Sequence, residues 1–274
     1  MNKPMSPLLR FVFGFVAFNA LLGAGSLLFF PNRTDTLFFW EIKPAINAAL
    51  FGALYLGDAA VVGWVTLRGA WEPARFLIPV LVSAGVFISL TTLVHLERFT
   101  PGLKLAYWLI IYVGAPILAL GFYLTHERRG ANWSAAQPIH LSTRVVAGGL
   151  GAVLLLVGLG LWLFPAAAIP LWPWPMTPLM LRVFAAWFGA FGVGLLWFLI
   201  ERDWTRVRQI ANLMLAASAL DLLMIFIHRG DLTTTGLRLW VYVFHLALFG
   251  VVGALLHGLQ FVFAPRVVKA LATN

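Results

Sequence analysis

The chain has 274 residues, is 61% hydrophobic and 11% charged, and has a mean hydropathy of +0.91. Soluble domains are about 45–50% apolar and about 25% charged, and 19 basic plus 10 acidic side chains are too few to cover a water-soluble fold of this length. A soluble enzyme, a disordered regulator and a nucleic-acid-binding domain are thereby excluded.

The net charge of +9 is spread in short runs between long apolar stretches, not gathered on one polar face. That distribution points to membrane topology and not to nucleic acid. Cysteine is absent, so no disulfide, zinc-thiolate or Cys-held iron–sulfur site can form.

Crossing a hydrocarbon core of about 30 Å takes about 20 mostly apolar residues. Eight stretches meet that length, near 8–30, 43–67, 74–96, 102–125, 143–164, 177–200, 206–228 and 236–261. Helix-stopping or polar runs separate them, among them Pro31-Asn32-Arg33, Trp71-Glu72-Pro73 and Glu201-Arg202-Asp203-Trp204. The first stretch, preceded by Lys3 and Arg10, continues through Phe30 and has a counterpart later in the chain. It is therefore expected to be a retained span and not a cleaved signal peptide.

With the amino terminus inside, the cytoplasmic segments would carry 12 of the 19 Lys and Arg residues and the opposite side 7. The positive-inside rule then places both termini in the cytoplasm and the protein in the cell (inner) membrane.

Self-comparison reveals a repeat. At a shift of 134, Arg10 meets Arg144, Pro31 meets Pro165, Trp40 meets Trp174 and Pro44 meets Pro178. At 133, Trp64 meets Trp197, Trp71 meets Trp204, Arg75 meets Arg208 and His95 meets His228; at 132, Trp108 meets Trp240. The predicted fold is an all-α membrane protein with eight transmembrane helices arranged as two parallel four-helix repeats. Four is even, so both repeats enter from the same side and are related by an axis along the membrane normal. Residues 1–125 form the first repeat, 126–142 a cytoplasmic linker and 143–274 the second repeat.

The run Trp172-Pro173-Trp174-Pro175-Met176-Thr177-Pro178-Leu179, followed by Arg182, Ala186-Trp187 and Glu201-Arg202-Asp203-Trp204, resembles bacterial polytopic membrane proteins of unassigned activity. Those proteins carry a Trp-Pro-x-Thr-Pro-Leu-x-x-Arg pattern in a similar place. The resemblance covers mainly the fifth and sixth spans and implies a membrane location but no activity. In the first half the pattern reduces to Trp40-Glu41-Ile42-Lys43-Pro44, with no matching arginine.

Phe38, Phe39, Trp40, Trp172 and Trp174 fall in the outer connections, where an interfacial belt or loop packing is expected. Trp71 and Trp204 read the same way at the inner face. Small residues recur every four positions at Ala49, Ala53 and Gly57, at Ala186, Ala190 and Gly194, and at Gly250, Ala254 and Gly258. Such stripes let helix backbones approach closely in lipid. His95 and His228 are repeat-related, and a facing histidine pair is able to hold haem iron. Capping or hydrogen bonding in the adjacent polar runs explains them without a metal and is the reading expected, so no cofactor is expected.

Polar residues at membrane depth carry the functional expectation, because a charge there is costly and needs a partner or water. At about 1.5 Å per residue, Asp58 lies roughly 14 Å from the inner end of the second span, with Asn19 and Ser83 at similar depth. In the second half, Arg182, Asp221 and His245 fall within a band of a few ångströms near the outer side. Their first-half counterparts are Ala48 or Ala49, Ile88 and Val113. The candidate ligand-binding residues are therefore Arg182, Asp221, His245, Asp58 and Asn19. Arg182 would hold an anionic group while Asp221 and His245 orient it or pass a proton. The expected partners are the bilayer and a small anionic or lipid-like ligand.

Two function classes follow: binding or transport of a small or lipid-like molecule, and a non-catalytic structural or accessory subunit. A haem or quinone redox protein is the third. No HExxH, GxSxG or P-loop pattern is present, so enzymatic chemistry has no motif behind it.

Overall fold

The computed structural model describes residues 4–128 and 137–272, with side chains at 4–125 and 137–262. The middle of the predicted linker, 129–136, lies outside the described residues. The protein is 84% helix, with no strand among the described residues.

Eight helices are long and apolar enough to cross a membrane: α1 (Pro7–Phe29), α2 (Ala45–Arg68), α3 (Trp71–Val94), α4 (Leu103–Thr125), α5 (Leu141–Leu163), α6 (Pro178–Leu199), α7 (Trp204–Ile227) and α8 (Leu237–Val262). Each lies within three residues of its predicted span. The chain is therefore a polytopic membrane protein.

Helix starts and stops follow local chemistry. The Ser6 hydroxyl accepts from the Leu9 amide at 3.3 Å and the Thr177 hydroxyl from the Met180 amide at 3.2 Å, each just before a proline at the first helical position. Asp203 caps α7 by accepting from the Thr205 amide at 2.9 Å. Gly69 ends α2 in the left-handed region, with φ of 62°, where a side chain would be strained.

The spans divide into an inner and an outer set. The central stretches of α2 and α6 are 67% and 72% buried, against 17–28% for α1, α4, α5 and α8. In each half the first helix packs on the second and the third on the fourth. The halves then cross over: α2 packs on α7, α3 packs on α6, and α3 and α7 meet at the centre.

The same bonds recur in both halves at offsets of 132–134. Arg10 donates to the carbonyls of Thr66 and Leu67 at the end of α2, at 2.9 and 3.0 Å; Arg144 donates to those of Phe198 and Leu199, at 3.0 and 2.5 Å. The Met5 amide bonds the Gly69 carbonyl, and the Ile139 amide bonds that of Arg202, both at 2.9 Å. At the opposite end the Thr100 amide reaches the Phe39 carbonyl, and the Thr233 amide that of Pro173.

The connection aromatics do not form a lipid-facing ring. Trp40 and Trp174 are each 2% exposed and plug the far end of the bundle: Trp40 lies 5.2 Å from Trp108, and Trp174 lies 4.9 Å from Tyr242, between ring centres. Of the two expected uses, loop packing is the one adopted, and it holds for Trp71 and Trp204 too, both buried.

The small-residue stripes on α2 and α6 are interfacial. A Cβ on Gly57 would touch Ala216, and one on Gly194 would crowd Ile210. The stripe on α8 is not. Ala254 and Gly258 are exposed, and the close approach to α7 is made by Gly250 against Ser218 and by Gly253 against the Ala211 carbonyl. The heptad-like spacing drifts off the contact face there.

At the end carrying the amino terminus, α3, α7 and the α6–α7 connection are tied by buried charges. Glu201 accepts from Arg206 at 3.0 Å and lies 3.4 Å from Arg75, and Arg206 also bonds Glu72. The second carboxylate role of Glu201 is to accept the Arg202 and Asp203 amides ahead of α7. Removing one member of such a buried set costs about 3–5 kcal/mol. Glu201→Ala is thus expected to lower the thermal unfolding midpoint sharply in detergent, whereas an unchanged midpoint would show that the cluster does not hold α3 to α7.

Candidate functional site

Depth alone did not determine which polar residues meet. Asp221 and His245 do come together, lining a small cavity of about 40 Å³ with Phe184, Trp187, Phe188 and Tyr242. Asp221 is 5% exposed and its Oδ1 has no hydrogen-bond partner among the described residues. The His245 ring stacks on Phe188 at 5.2 Å.

Arg182 does not join them. Its Nε donates to the Trp162 carbonyl at 3.0 Å, and its Nη1 lies 2.7 Å from His95 Nε2. The reason is helical phase: at 100° per residue, Arg182 and Phe184 are about 200° apart around α6, so the guanidinium faces α5 while the cavity lies behind it. There Arg182 meets a carbonyl of the last turn of α5, which has no partner within its own helix. The expected Arg182–Asp221–His245 constellation is accordingly replaced by an Asp221–His245 pair and a separate Arg182–His95 contact.

The two histidines weighed as haem ligands are each engaged otherwise. His95 meets Arg182, and His228 Nδ1 lies 3.8 Å from Asp231. Neither lines any of the three cavities described here.

Asn19 and Asp58 both line the largest of these cavities. It measures about 250 Å³ and lies among α1, α2, α3 and α4, with Trp187 of α6 closing one side. For scale, an apolar cavity of about 150 Å³ admits benzene. Asp58 forms no ion pair or hydrogen bond among the described residues, and no Lys, Arg or His lines the space. Around it stand hydroxyls: Tyr55 and Tyr112 bond one another, and the Tyr107 hydroxyl donates to Asn19 Oδ1 at 2.5 Å. Asn19 in turn donates to the Phe15 carbonyl at 2.8 Å. Ser83, expected at the same depth, turns away to its own helix at Val80.

A break in α4 shapes this cavity. Pro116 has no amide hydrogen to give the Tyr112 carbonyl one turn earlier, and the helix widens into a π turn at Ile110–Gly114. The Ser89 hydroxyl of α3 donates to that carbonyl at 3.2 Å. Gly85 makes the approach possible, since a Cβ there would lie 2.6 Å from Pro116 Cγ and 2.8 Å from the Tyr112 carbonyl oxygen. Widened turns of this kind are frequent at functional sites, and this one delivers Ile111 and Tyr112 to the wall.

The mouth lies between α1 and α4. Leu22, Leu37 and Tyr107 line the cavity and are also exposed; Leu22 and Tyr107 lie on spanning helices and so face acyl chains, while Leu37 lies in the α1–α2 connection. The cavity opens sideways, and the Tyr107–Asn19 bond bridges the opening.

Trp187 lines all three spaces. A cavity of about 20 Å³ shares Asp58 with the larger one and Phe191 with the Asp221 cavity. The Trp187 indole Nε1 is buried with no hydrogen-bond partner among the described residues.

The tyrosines and Trp187 were not singled out from sequence. A usable signal existed: of five tyrosines, Tyr55 and Tyr112 fall inside apolar spans, away from the ends where aromatic belts sit. Tyr55 also precedes Asp58 by three residues, which puts both on one helix face.

The His95 imidazole is pushed below its usual range by burial and by the Arg182 guanidinium. A base weakened in the folded state contributes stability above its unfolded pKa, near 6.5, and that contribution is lost as pH falls through the folded value. His95→Gln is expected to flatten the acid-side loss of thermal stability between pH 7 and 5, while an identical pH slope in the variant would contradict the Arg182–His95 contact. No protein-family model, curated protein or solved structure matches the chain, and the functional reading rests on this geometry.

Proposed function

We propose that this membrane protein binds a small or lipid-like molecule, admitted from the bilayer between α1 and α4 into the Asp58 cavity. The observation that carries this is the one-sidedness of the lining. At offsets of 132–134, Asn19 is matched by Val153, Tyr55 by Phe188, Asp58 by Phe191, Tyr107 by Leu239 and Tyr112 by Phe244. Packing, which both halves must solve, gives no reason for a cavity of about 250 Å³ in one half against the Asp221–His245 cavity of about 40 Å³ in the other. In the other half the glycines bring backbones together: a Cβ on Gly151 would lie 2.6 Å from the Leu196 amide nitrogen. Intramembrane polar groups of this kind mark binding sites and pathways.

The frame of this reading is a pair of parallel four-helix repeats, supported by the repeated Arg10/Arg144 bonds and the crossed packing of α2–α7 and α3–α6. The Lys and Arg distribution supports cytoplasmic termini, which turns the cavity mouth toward the outer leaflet.

Two measurements test it. Accessibility tags at either terminus are expected to report the cytoplasm and a probe at Asn32 or Thr233 the opposite side; the reverse pattern would invert the orientation. Native mass spectrometry of the protein released from membranes is expected to show a retained small molecule or lipid. Ala84→Leu, which fills the cavity wall, should cut that retention at least tenfold at unchanged folded yield. Equal retention in the filled variant would favour the structural-subunit reading.

A further inference from the structure

Resting on that binding reading, we infer that the Asp58 cavity selects organic cations: amphipathic amines or quaternary ammonium compounds whose charged head reaches Asp58 and whose apolar body leaves through the α1–α4 mouth.

The lining has one carboxylate and no basic side chain. The only arginine expected to serve a ligand, Arg182, is spent on Trp162 and His95 outside the cavity. An anion entering here would meet Asp58 with nothing to offset the repulsion. A cation would meet a carboxylate that lacks an ionic partner among the described residues, in surroundings where charge interactions are weakly screened.

The rest of the wall suits the same ligand. Tyr55, Tyr107, Trp108, Tyr112 and Trp187 all line the space. Aromatic faces attract cations through the ring quadrupole, most strongly when water is excluded, and cages of such rings are the recurrent solution for quaternary ammonium groups. The hydroxyls of Tyr55 and Tyr112 bond one another, which leaves oxygen lone pairs as acceptors for an ammonium N–H. Asp58 also faces the small space shared with Trp187, so the charge sits at the inner end of the cavity and the exposed Leu22 and Leu37 at its mouth. That polarity, charge inside and apolar outside, matches an amphipath entering head first.

The titratable groups that share this cavity with Asp58 are Tyr55 on its own helix and Tyr107 and Tyr112 on α4, and the Trp187 indole of α6 lies on the same wall. None is a cation. The ligand itself would supply the countercharge.

The test uses the full chain in phosphatidylcholine nanodiscs, whose neutral surface does not itself concentrate cations. The probes are (4-phenylbutyl)trimethylammonium and its isostere with carbon in place of nitrogen, and binding is read by quenching of tryptophan emission. The wild type is expected to bind the cation at least tenfold more tightly than the isostere. Asp58→Asn should remove that preference while leaving isostere binding within twofold, and Glu97→Gln, an exposed carboxylate outside the cavity, should retain it. Equal affinities for the two probes in the wild type would overturn the inference and leave the binding reading standing, as would a preference that survives in Asp58→Asn. If neither probe binds, the binding reading falls and this inference with it. Should Asp58→Asn fail to fold, the two-probe comparison on the wild type still decides.

Discussion

The crossed contact between the halves is the constraint on which the rest of this structure depends. In a bilayer there is no apolar driving force between helices, because acyl chains are as apolar as leucine. Association has to come from close packing and from polar bonds. Here α2 and α6, the two most buried helices, each pack on the third helix of the opposite half. Small residues permit that approach, and polar ties fix it at both ends. At one end stands the Glu72–Arg75–Glu201–Arg206 cluster. At the other, the Trp174 indole donates to Asn47 Oδ1 at 2.7 Å, and the Ile46 amide to Asp231 at 2.8 Å. Neither half could separate without exposing these groups to lipid, where unpaired polar groups cost several kcal/mol each.

With the centre fixed this way, the outer helices have latitude. On one side α5 lies backbone to backbone against α6 through Gly151, Gly158, Gly189 and Gly192, leaving little space. On the other, α4 is interrupted by its π turn before Pro116, and α1 touches it lightly. The larger cavity thus falls in the first half, which holds Asp58 and four of the chain's five tyrosines, and three of those four line the space.

The spans were legible because hydrocarbon thickness sets their length and proline or charge ends them, so composition suffices. Arg10 and Arg144, matched in the sequence, make matching bonds, whereas Trp240, matched to Trp108 at a shift of 132, is exposed where Trp108 is buried. The site was legible only in part. Depth along a helix can be counted, which brought Asn19 toward Asp58 and Asp221 toward His245. Helical phase relative to a neighbour depends on the packing of the whole bundle, and it carried Arg182 to the opposite side. The aromatic wall was hidden for the same reason, since Trp187 reaches the first-half cavity only through the cross-packing of α6 on α3.

The central claim is a ligand-accepting cavity beside Asp58, and a density map of the protein in native-lipid nanodiscs at side-chain resolution tests it most directly. Density not belonging to the chain is expected between α1 and α4, ending against Asp58 and Trp187. A cavity closed by inward movement of Tyr55, Tyr107 and Tyr112, with protein atoms filling the space, would contradict it.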